Sequence, residues 1–340
     1  MSLSSVGRRA LPALLACLAA GSSLAATPDM SVIGKIPGPD GGWDYASINA
    51  ATHQLYVGRT DGVMAVDLDT GKLTDPFVPG SVVHGVIAIG DSELGVSANG
   101  KSRMAIIFDT KSGRVLASIP TGEGPDAVAY DPATSLVAIM EGDAQAVFLI
   151  DPKAMKNVGT IALDGKPEFA ASDGHGHLLI NIEDKHEIAR VDIASRKVVY
   201  SVALPGCESP TGLAYDGDDD VAISTCRNGV ADVTDAKTGA ARATVAIGQD
   251  PDAAIYDSTH KVFYVPCGRS GTLSVIAVRS PADIALVATV PTALGARTGA
   301  FDAKTGKLYL PTAQYQLPIA PGTRPQTVPG TFEIVVVGPK

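Results

Sequence analysis

The chain has 340 residues, of which 45% are hydrophobic and 19% are charged, and its formal net charge is −9. Its 36 glycines and 23 prolines exclude a solenoid of helices, because both residue types interrupt helices. An acidic surface repels phosphate backbones, so the charge argues against a nucleic-acid partner.

The first 26 residues have the composition of a secretory signal peptide. Arg8 and Arg9 precede an apolar run, and small residues around Ala25 and Ala26 suit signal peptidase. We therefore predict that this leader is removed and that the mature protein is periplasmic or secreted. The twin arginines leave Tat export open beside Sec export, and Cys17 leaves a lipoprotein signal open. No other segment is long enough to span a bilayer.

A repeat recurs seven times along the mature chain, in steps of 40 to 45 residues. In the third copy, strands are predicted at 127–130, 136–140, 146–150 and 158–163. A period in the low forties that carries only strand signals is typical of propeller blades. The predicted fold is all-β, a seven-bladed β-propeller of four-stranded antiparallel blades.

An aspartate opens the hairpin before the outer strand in five copies. The five residues are Asp67, Asp109, Asp151, Asp192 and Asp235. In three copies a glycine follows four residues later, at Gly71, Gly113 and Gly239. Aspartate bonds its own backbone in turns and glycine accepts a positive φ, so we interpret this pattern as turn chemistry rather than catalysis.

The two ends of the chain are predicted to complete one blade together. The seventh copy ends after its third strand, at 332–337, and therefore lacks an outer strand. Residues 31–38 supply one, since they resemble the outer-strand segment at 115–122. This closure leaves no open sheet between the first and last blades. We predict one domain over residues 27–340, and we expect a monomer.

Several strand segments resemble a known family. Leu55–Arg59, Val262–Pro266 and Leu308–Thr312 each follow the repeat's second-strand pattern, and Val147–Pro152 follows its third. Together they resemble the YVTN-type, YncE-like exported seven-bladed propellers over essentially the whole mature chain. The resemblance implies the propeller fold, and ligand, partner-protein or single-stranded DNA binding is suggested for some members. The family motif is a structural repeat without a catalytic signature.

Three cysteines remain after the leader. Cys207 precedes the first strand of the fifth blade, and Cys226 ends its second strand, so both fall on the same face of the disc. We predict a disulfide between them in an oxidising compartment. Cys267 has the repeat position of Cys226 one blade later, and it is expected either to compete for the bond or to stay a buried thiol.

One column of the repeat falls on the rim of the central channel, where the first strand begins. Its seven members are Asp44, His84, Asp126, Glu168, Thr211, Asp252 and Arg297. Converging carboxylates repel each other, so the acids must take up protons, bind a cation, or pair with Arg297 or a cationic ligand group. The alternative is that the acids cap backbone amides and hold water. The metal candidates are Asp44, His84, Asp126, Glu168 and Asp252, with Ca²⁺ or Mg²⁺ as the ion.

A long loop in the seventh blade, at 313–330, lies on the same face. It carries Tyr315, Arg324 and four prolines, and loops of this length often cover binding sites. The alternative is a stiff strap across the closure junction. Trp43 and Tyr45 flank Asp44 and suggest an aromatic floor, although packing of the junction explains them as well.

Two functional hypotheses follow. The first is an exported binding protein that holds a small ligand or a partner protein at the channel mouth. The second is a metal-dependent hydrolase or lactonase-like enzyme that uses the acidic rim and its histidine. Single-stranded DNA binding is a third, disfavoured by charge. The sequence lacks the motifs of c-type haem attachment and of phosphate-binding loops, so neither a haem nor a nucleotide cofactor is expected.

Overall fold

The computed structural model describes residues 27–316 and 326–340. In that part of the chain, the strands form seven sheets, each with four antiparallel strands. The predicted leader, residues 1–26, lies outside the described residues. The prediction of an all-β, seven-bladed propeller is confirmed.

Strand β1 (Met30–Pro37) precedes the first complete blade. The strands of the first three blades are β2 (Trp43–Asn49), β3 (Gln54–Arg59), β4 (Gly62–Asp67), β5 (Leu73–Pro79), β6 (Val83–Ala88), β7 (Leu94–Asn99), β8 (Met104–Asp109), β9 (Val115–Pro120), β10 (Pro125–Asp131), β11 (Leu136–Glu141), β12 (Ala146–Asp151) and β13 (Lys156–Ala162). Each blade is a meander whose sheet order follows the sequence.

The remaining blades follow the same plan, with a single 3₁₀ turn at Glu183–Lys185 in the fourth. Their strands are β14 (Pro167–Ser172), β15 (His177–Ile182), β16 (Glu187–Asp192), β17 (Lys197–Ala203), β18 (Pro210–Asp216), β19 (Val221–Cys226), β20 (Val230–Asp235), β21 (Ala241–Ala246), β22 (Ile255–Asp257), β23 (Val262–Cys267), β24 (Thr272–Ser280), β25 (Asp283–Pro291), β26 (Ala300–Asp302), β27 (Lys307–Thr312) and β28 (Glu333–Pro339).

The chain ends close the ring as predicted. The seventh sheet has the order β1-β28-β27-β26, so the N-terminal strand is its outer strand. The pairing runs from Met30 opposite Pro339 to Pro37 opposite Glu333. An ion pair between Lys35 Nζ and Glu333 Oε1 (2.6 Å) lies on the surface of this junction. The N-terminal strand thereby covers the edge that β28 would otherwise expose.

The recurrent aspartates form turns, as the sequence predicts. Asp67 Oδ1 accepts a hydrogen bond from Thr70 N (2.8 Å), and Asp109 Oδ1 accepts one from Ser112 N (2.8 Å). Gly71 follows with a φ of 74°. The Thr70 backbone donor lowers the pKa of Asp67, and the Ser112 hydroxyl together with the Ser112 backbone donor lowers that of Asp109, since these bonds stabilise the ionised form.

Neighbouring blades are held together by apolar side chains. Between the second and third blades, for example, Val96 and Ile107 belong to one buried cluster with Val137 and Ile139. Contacts between the first strands of successive blades continue around the ring. Close approach is required at Gly212, where a Cβ would lie 2.3 Å from the carbonyl carbon of Ala253 in the next blade.

A β-bulge interrupts the first strand at the same repeat position in five blades. In the third blade, Asp126 and Ala127 stand opposite one residue of β11, because Pro125 pairs with Glu141 and Val128 with Ile139. The equivalent register shifts fall between Trp43 and Ala46, Val83 and Val86, Pro167 and Ala170, and Pro210 and Leu213. A bulge re-aims a side chain at a strand end. The first bulged residue is the rim residue in every case.

Candidate functional site

One corner of the rim is built by three blades. His84 Nδ1 lies 2.5 Å from Asp44 Oδ2 and 3.9 Å from Asp126 Oδ1. The hydroxyl of Thr298 donates to the carbonyl of Asp44 (2.8 Å), which fixes that stretch of backbone. Asp126 Oδ1 is sealed from solvent and accepts no hydrogen bond. The repeat column therefore brings these three residues together, as the sequence predicts, but it leaves one oxygen unsatisfied.

Two further rim acids have cationic neighbours. Arg297 Nε lies 3.2 Å from Asp252 Oδ2, so this pair neutralises itself. The charge of Glu168 is less fully compensated. Lys166 Nζ is 3.6 Å from its carboxyl group and is hydrogen-bonded instead to Glu183 Oε2 (2.5 Å). No hydrogen bond reaches the Glu168 carboxyl from any residue that the structure describes, although its side chain is only 8% exposed.

The floor of the mouth is formed by Tyr45 and Phe169, with ring centroids 5.2 Å apart. These residues belong to the first and fourth blades, which are not neighbours, so their contact crosses the channel. Each is the second residue of its bulge, directly after Asp44 and Glu168. Trp43 is not part of this floor. The bulge separates it from Tyr45, and it packs on Phe332 (5.5 Å) between the first and seventh blades.

Thr211 is on the column but does not present its hydroxyl to the mouth. It is fully buried, and Oγ1 donates to the carbonyl of Pro251 (2.8 Å) in the next blade. This bond ties the fifth blade to the sixth. Thr211 therefore has a structural contact in place of the binding role that its position suggests.

Three of the rim carboxyl groups, those of Asp126, Glu168 and Asp252, have raised pKa values, chiefly because they are buried. Burial, followed by repulsion from Asp44, raises the pKa of Asp126 to about 7. Burial and repulsion from Asp126 raise that of Glu168 to about 8. Burial raises the pKa of Asp252 to about 6 against the opposing effect of Arg297. The hydrogen bond to Asp44 raises the pKa of His84. These three carboxyl groups thus retain their protons to a higher pH than free carboxyl groups do.

This proton uptake predicts the pH dependence of stability. The native state binds protons that the unfolded chain releases near pH 4, so the free energy of unfolding falls as pH rises from about 4 to about 8. Glu168→Gln is expected to flatten the upper part of this profile and to raise stability at pH 8.5 by about 1–2 kcal/mol, because a neutral amide replaces a buried charge. Urea unfolding at a series of pH values measures both effects.

The matched control is Glu123→Gln, which alters an exposed carboxylate on the same face. It is expected to leave the slope unchanged. An identical slope for the wild type and Glu168→Gln above pH 6 contradicts the prediction.

A pocket of about 480 Å³ adjoins the rim between the second and third blades. His84 belongs both to the rim and to the pocket wall. Its ring packs on Gly100, where a Cβ would lie 2.6 Å from the Nε2 atom. Val82, also in the pocket wall, has a φ of 52°, a strained value for a β-branched residue. The pocket is lined by Val82, His84, Gly100, Lys101, Arg103, Glu123, Gly124 and Asp143.

The long loop of the seventh blade is described at its two ends only. Tyr315 pairs with Thr327, and Gln316 N donates to the carbonyl of Gln326 (2.8 Å), so the ends form a short ladder. Tyr315 packs against Gly295, where a Cβ would lie 2.2 Å from its hydroxyl. Residues 317–325, with Arg324, lie outside the described residues. The lid remains a prediction.

The predicted disulfide is present. Cys207 and Cys226 are bonded, with their Cα atoms 5.4 Å apart, and Cys267 is a buried free thiol. The bond joins the entry of β18 to the end of β19 on the mouth face of the fifth blade.

Sequence reasoning missed two residues of the site, Lys166 and Phe169. Lys166 stands two residues before Glu168, and Phe169 directly follows it. The available signal was the column itself, because Phe169 has the same repeat position as Tyr45. The contact across the channel joins blades distant in sequence, so the repeat alone does not reveal it.

Comparisons with known proteins identify the fold. Neither a protein-family model nor a curated protein sequence matches the chain. A chain of Kuenenia stuttgartiensis hydrazine synthase superposes with a TM-score of 0.70 at 18% identity, over 81% of this chain and 92% of that one. A chain of the mitotic checkpoint complex superposes with a TM-score of 0.73 at 14% identity, over 98% of each. This chain is a seven-bladed β-propeller. The likeness at these identities concerns the fold alone.

No helix within residues 27–316 and 326–340 is long and apolar enough to cross a membrane.

Proposed function

We propose that the chain is an exported, YVTN-type propeller that binds a small, positively charged ligand at the mouth of the channel. The observation that carries the proposal is a pair of poorly satisfied carboxyl groups. Asp126 Oδ1 is enclosed and accepts no hydrogen bond, and the buried Glu168 has its ion-pair partner Lys166 Nζ at 3.6 Å. Burying an ionised carboxylate costs several kcal/mol unless a cation or hydrogen bonds compensate it. A ligand that brings a cation displaces protons from these groups and supplies that compensation.

The rest of the ligand has room beside the rim. Tyr45 and Phe169, which directly follow the acids Asp44 and Glu168 in sequence, pack against each other across the channel. The pocket opens laterally past His84 and contains Lys101, whose ammonium group forms no hydrogen bond or ion pair with any described residue. We expect a ligand of modest size to place its cation at Asp126 and Glu168 and its body toward the second and third blades.

The disulfide supports export, because such bonds persist in oxidising compartments. We infer that the leader is cleaved near Ala25 or Ala26 and that the mature domain works in the periplasm or outside the cell. Blade surfaces on the same face leave a partner protein as a second kind of ligand, since propellers serve as interaction scaffolds.

A charge-matched ligand series tests the proposal. Primary alkylamines and alcohols of equal chain length are compared by thermal shift and calorimetry at pH 8, where the amines are protonated. Amines are expected to raise the melting temperature and alcohols to leave it unchanged. Glu168→Gln is expected to weaken amine binding at least about tenfold, since it removes one of the two charges.

The control is Glu141→Gln. Glu141 is a buried carboxyl on the same face, but it accepts a hydrogen bond from Gly122 N (2.7 Å) and lies outside the rim column. Equal binding of amines and alcohols, or equal amine affinity in the wild type and Glu168→Gln, overturns the proposed function.

A further inference from the structure

The geometry points to a transition-metal site at Asp44, His84 and Asp126, with an ion of the Zn²⁺ or Mn²⁺ class. This inference rests on the proposed function, because it names the cation that the acidic side of the mouth accepts. It departs from the Ca²⁺ or Mg²⁺ that the acids alone suggest, since those ions take oxygen ligands and imidazole nitrogen suits zinc and its neighbours.

The donor atoms already cluster. One atom from each of the three residues lies within 4.8 Å of the others, and no other group of three such residues in the described chain does so. Zinc binds nitrogen and oxygen at about 2.0–2.2 Å, so tetrahedral donors stand about 3.3 Å apart. The observed separations from His84 Nδ1, 2.5 Å to Asp44 and 3.9 Å to Asp126, bracket that value.

One further observation indicates a missing positive charge. Asp126 Oδ1 is enclosed by protein and accepts no hydrogen bond, and it lies 3.9 Å from His84 Nδ1. Buried carboxyl oxygens are nearly always satisfied, so a cation held by Asp126 together with His84 and Asp44 best explains this oxygen.

The backbone holds all three ligands in place. Asp44 and Asp126 are first residues of β-bulges, as is His84, so each side chain projects from a sheet edge rather than from a loose loop. Thr298 further fixes the Asp44 backbone. Rigid elements of this kind make a site precise. Three protein ligands leave a coordination position open, and the pocket beside His84 is where a ligand would approach it.

Metal binding must displace protons, because His84 Nδ1 and the carboxylates coordinate only when deprotonated. The groups that face this corner are Asp252, Glu168, Lys166 and Arg297, besides the three ligands. The two cations are held by Glu183 and Asp252, so they compete only weakly with a bound ion.

The experiment uses tag-free mature protein stripped with EDTA. Equilibrium dialysis at pH 8 against Zn²⁺, Mn²⁺ or Ca²⁺, followed by elemental analysis, is expected to give one Zn²⁺ or Mn²⁺ per chain and at least about 100-fold weaker Ca²⁺ binding. His84→Asn and Asp126→Asn are each expected to lower the Zn²⁺ affinity about 10- to 100-fold. Co²⁺ substitution gives visible absorption that His84→Asn abolishes, which reports coordination directly.

The matched control is His177→Asn. His177 also stands between two aspartates, with Nδ1 3.0 Å from Asp173 and Nε2 3.5 Å from Asp192, but at the opposite end of its blade. It is expected to retain the wild-type stoichiometry and Co²⁺ spectrum. Far-ultraviolet circular dichroism confirms that each variant is folded.

The outcomes separate this inference from the proposed function. Absence of stoichiometric Zn²⁺ or Mn²⁺ binding, or binding that His177→Asn reduces and His84→Asn does not, overturns the metal site. Amine binding that depends on Glu168, found together with no metal binding, overturns the metal site and supports the proposed function. If neither cation binds, both are wrong.

Discussion

Removing residues 27–38 is expected to lower the melting temperature by about 10 °C and to make the protein aggregate. The deletion eliminates β1 and with it a ladder that runs the full length of β28. At about 1 kcal/mol net for each backbone hydrogen bond, the loss is on the order of 3–5 kcal/mol. It also uncovers an apolar edge strand, Ile334 to Val337, that can pair with another molecule.

The measurement is calorimetry together with light scattering during heating. Lys35→Ala is the control, because it breaks the surface ion pair to Glu333 and leaves the strand in place. Such an exposed pair contributes less than about 1 kcal/mol. A truncated protein that melts with the wild type and stays monomeric would show that the ring does not depend on β1.

Replacing both bonded cysteines, as Cys207→Ala with Cys226→Ala, is expected to lower the free energy of unfolding by about 3 kcal/mol. The bond closes a loop whose ends are 19 residues apart, and in the chain-entropy account a loop of about this length contributes that amount. Denaturant unfolding measures the change. Reductant is expected to destabilise the wild type by a similar amount and to leave the double variant unchanged.

Cys267→Ala is the control for thiol loss. Cys267 is buried in the core between the fifth and sixth blades and forms no disulfide. Its replacement therefore removes packing but no cross-link. The prediction fails if reductant opens the bond, as thiol titration would show, without changing the wild-type unfolding midpoint.

The fold could be predicted from the sequence because the same four-strand pattern recurs seven times. The repeat period and the local turn chemistry predict the strand positions, the turn aspartates and the closure by residues 31–38. Both can be identified from residues that are close in sequence. The rim column was also predictable, since a repeat position maps to a spatial position.

The pairing within that column was not predictable. Whether Asp252 is neutralised by Arg297, or Glu168 left poorly satisfied, depends on distances between blades that periodicity does not specify. Trp43 and Tyr45 show a second limit. Strict alternation puts them on one face of β2, but the bulge between Trp43 and Ala46 sends one to the blade junction and the other into the channel. A one-residue irregularity reverses every face assignment beyond it.

The bulges have a consequence for how such a protein can change. Because the first bulged residue lies outside the regular ladder, its side chain contributes little to strand register. The blade therefore tolerates different residues there, except at Thr211, whose hydroxyl bonds the next blade. The five bulged positions already hold aspartate, glutamate, histidine and threonine. The ring therefore offers a set of exchangeable positions around one mouth, so new ligand preferences can arise by single substitutions while the scaffold that carries them is inherited intact.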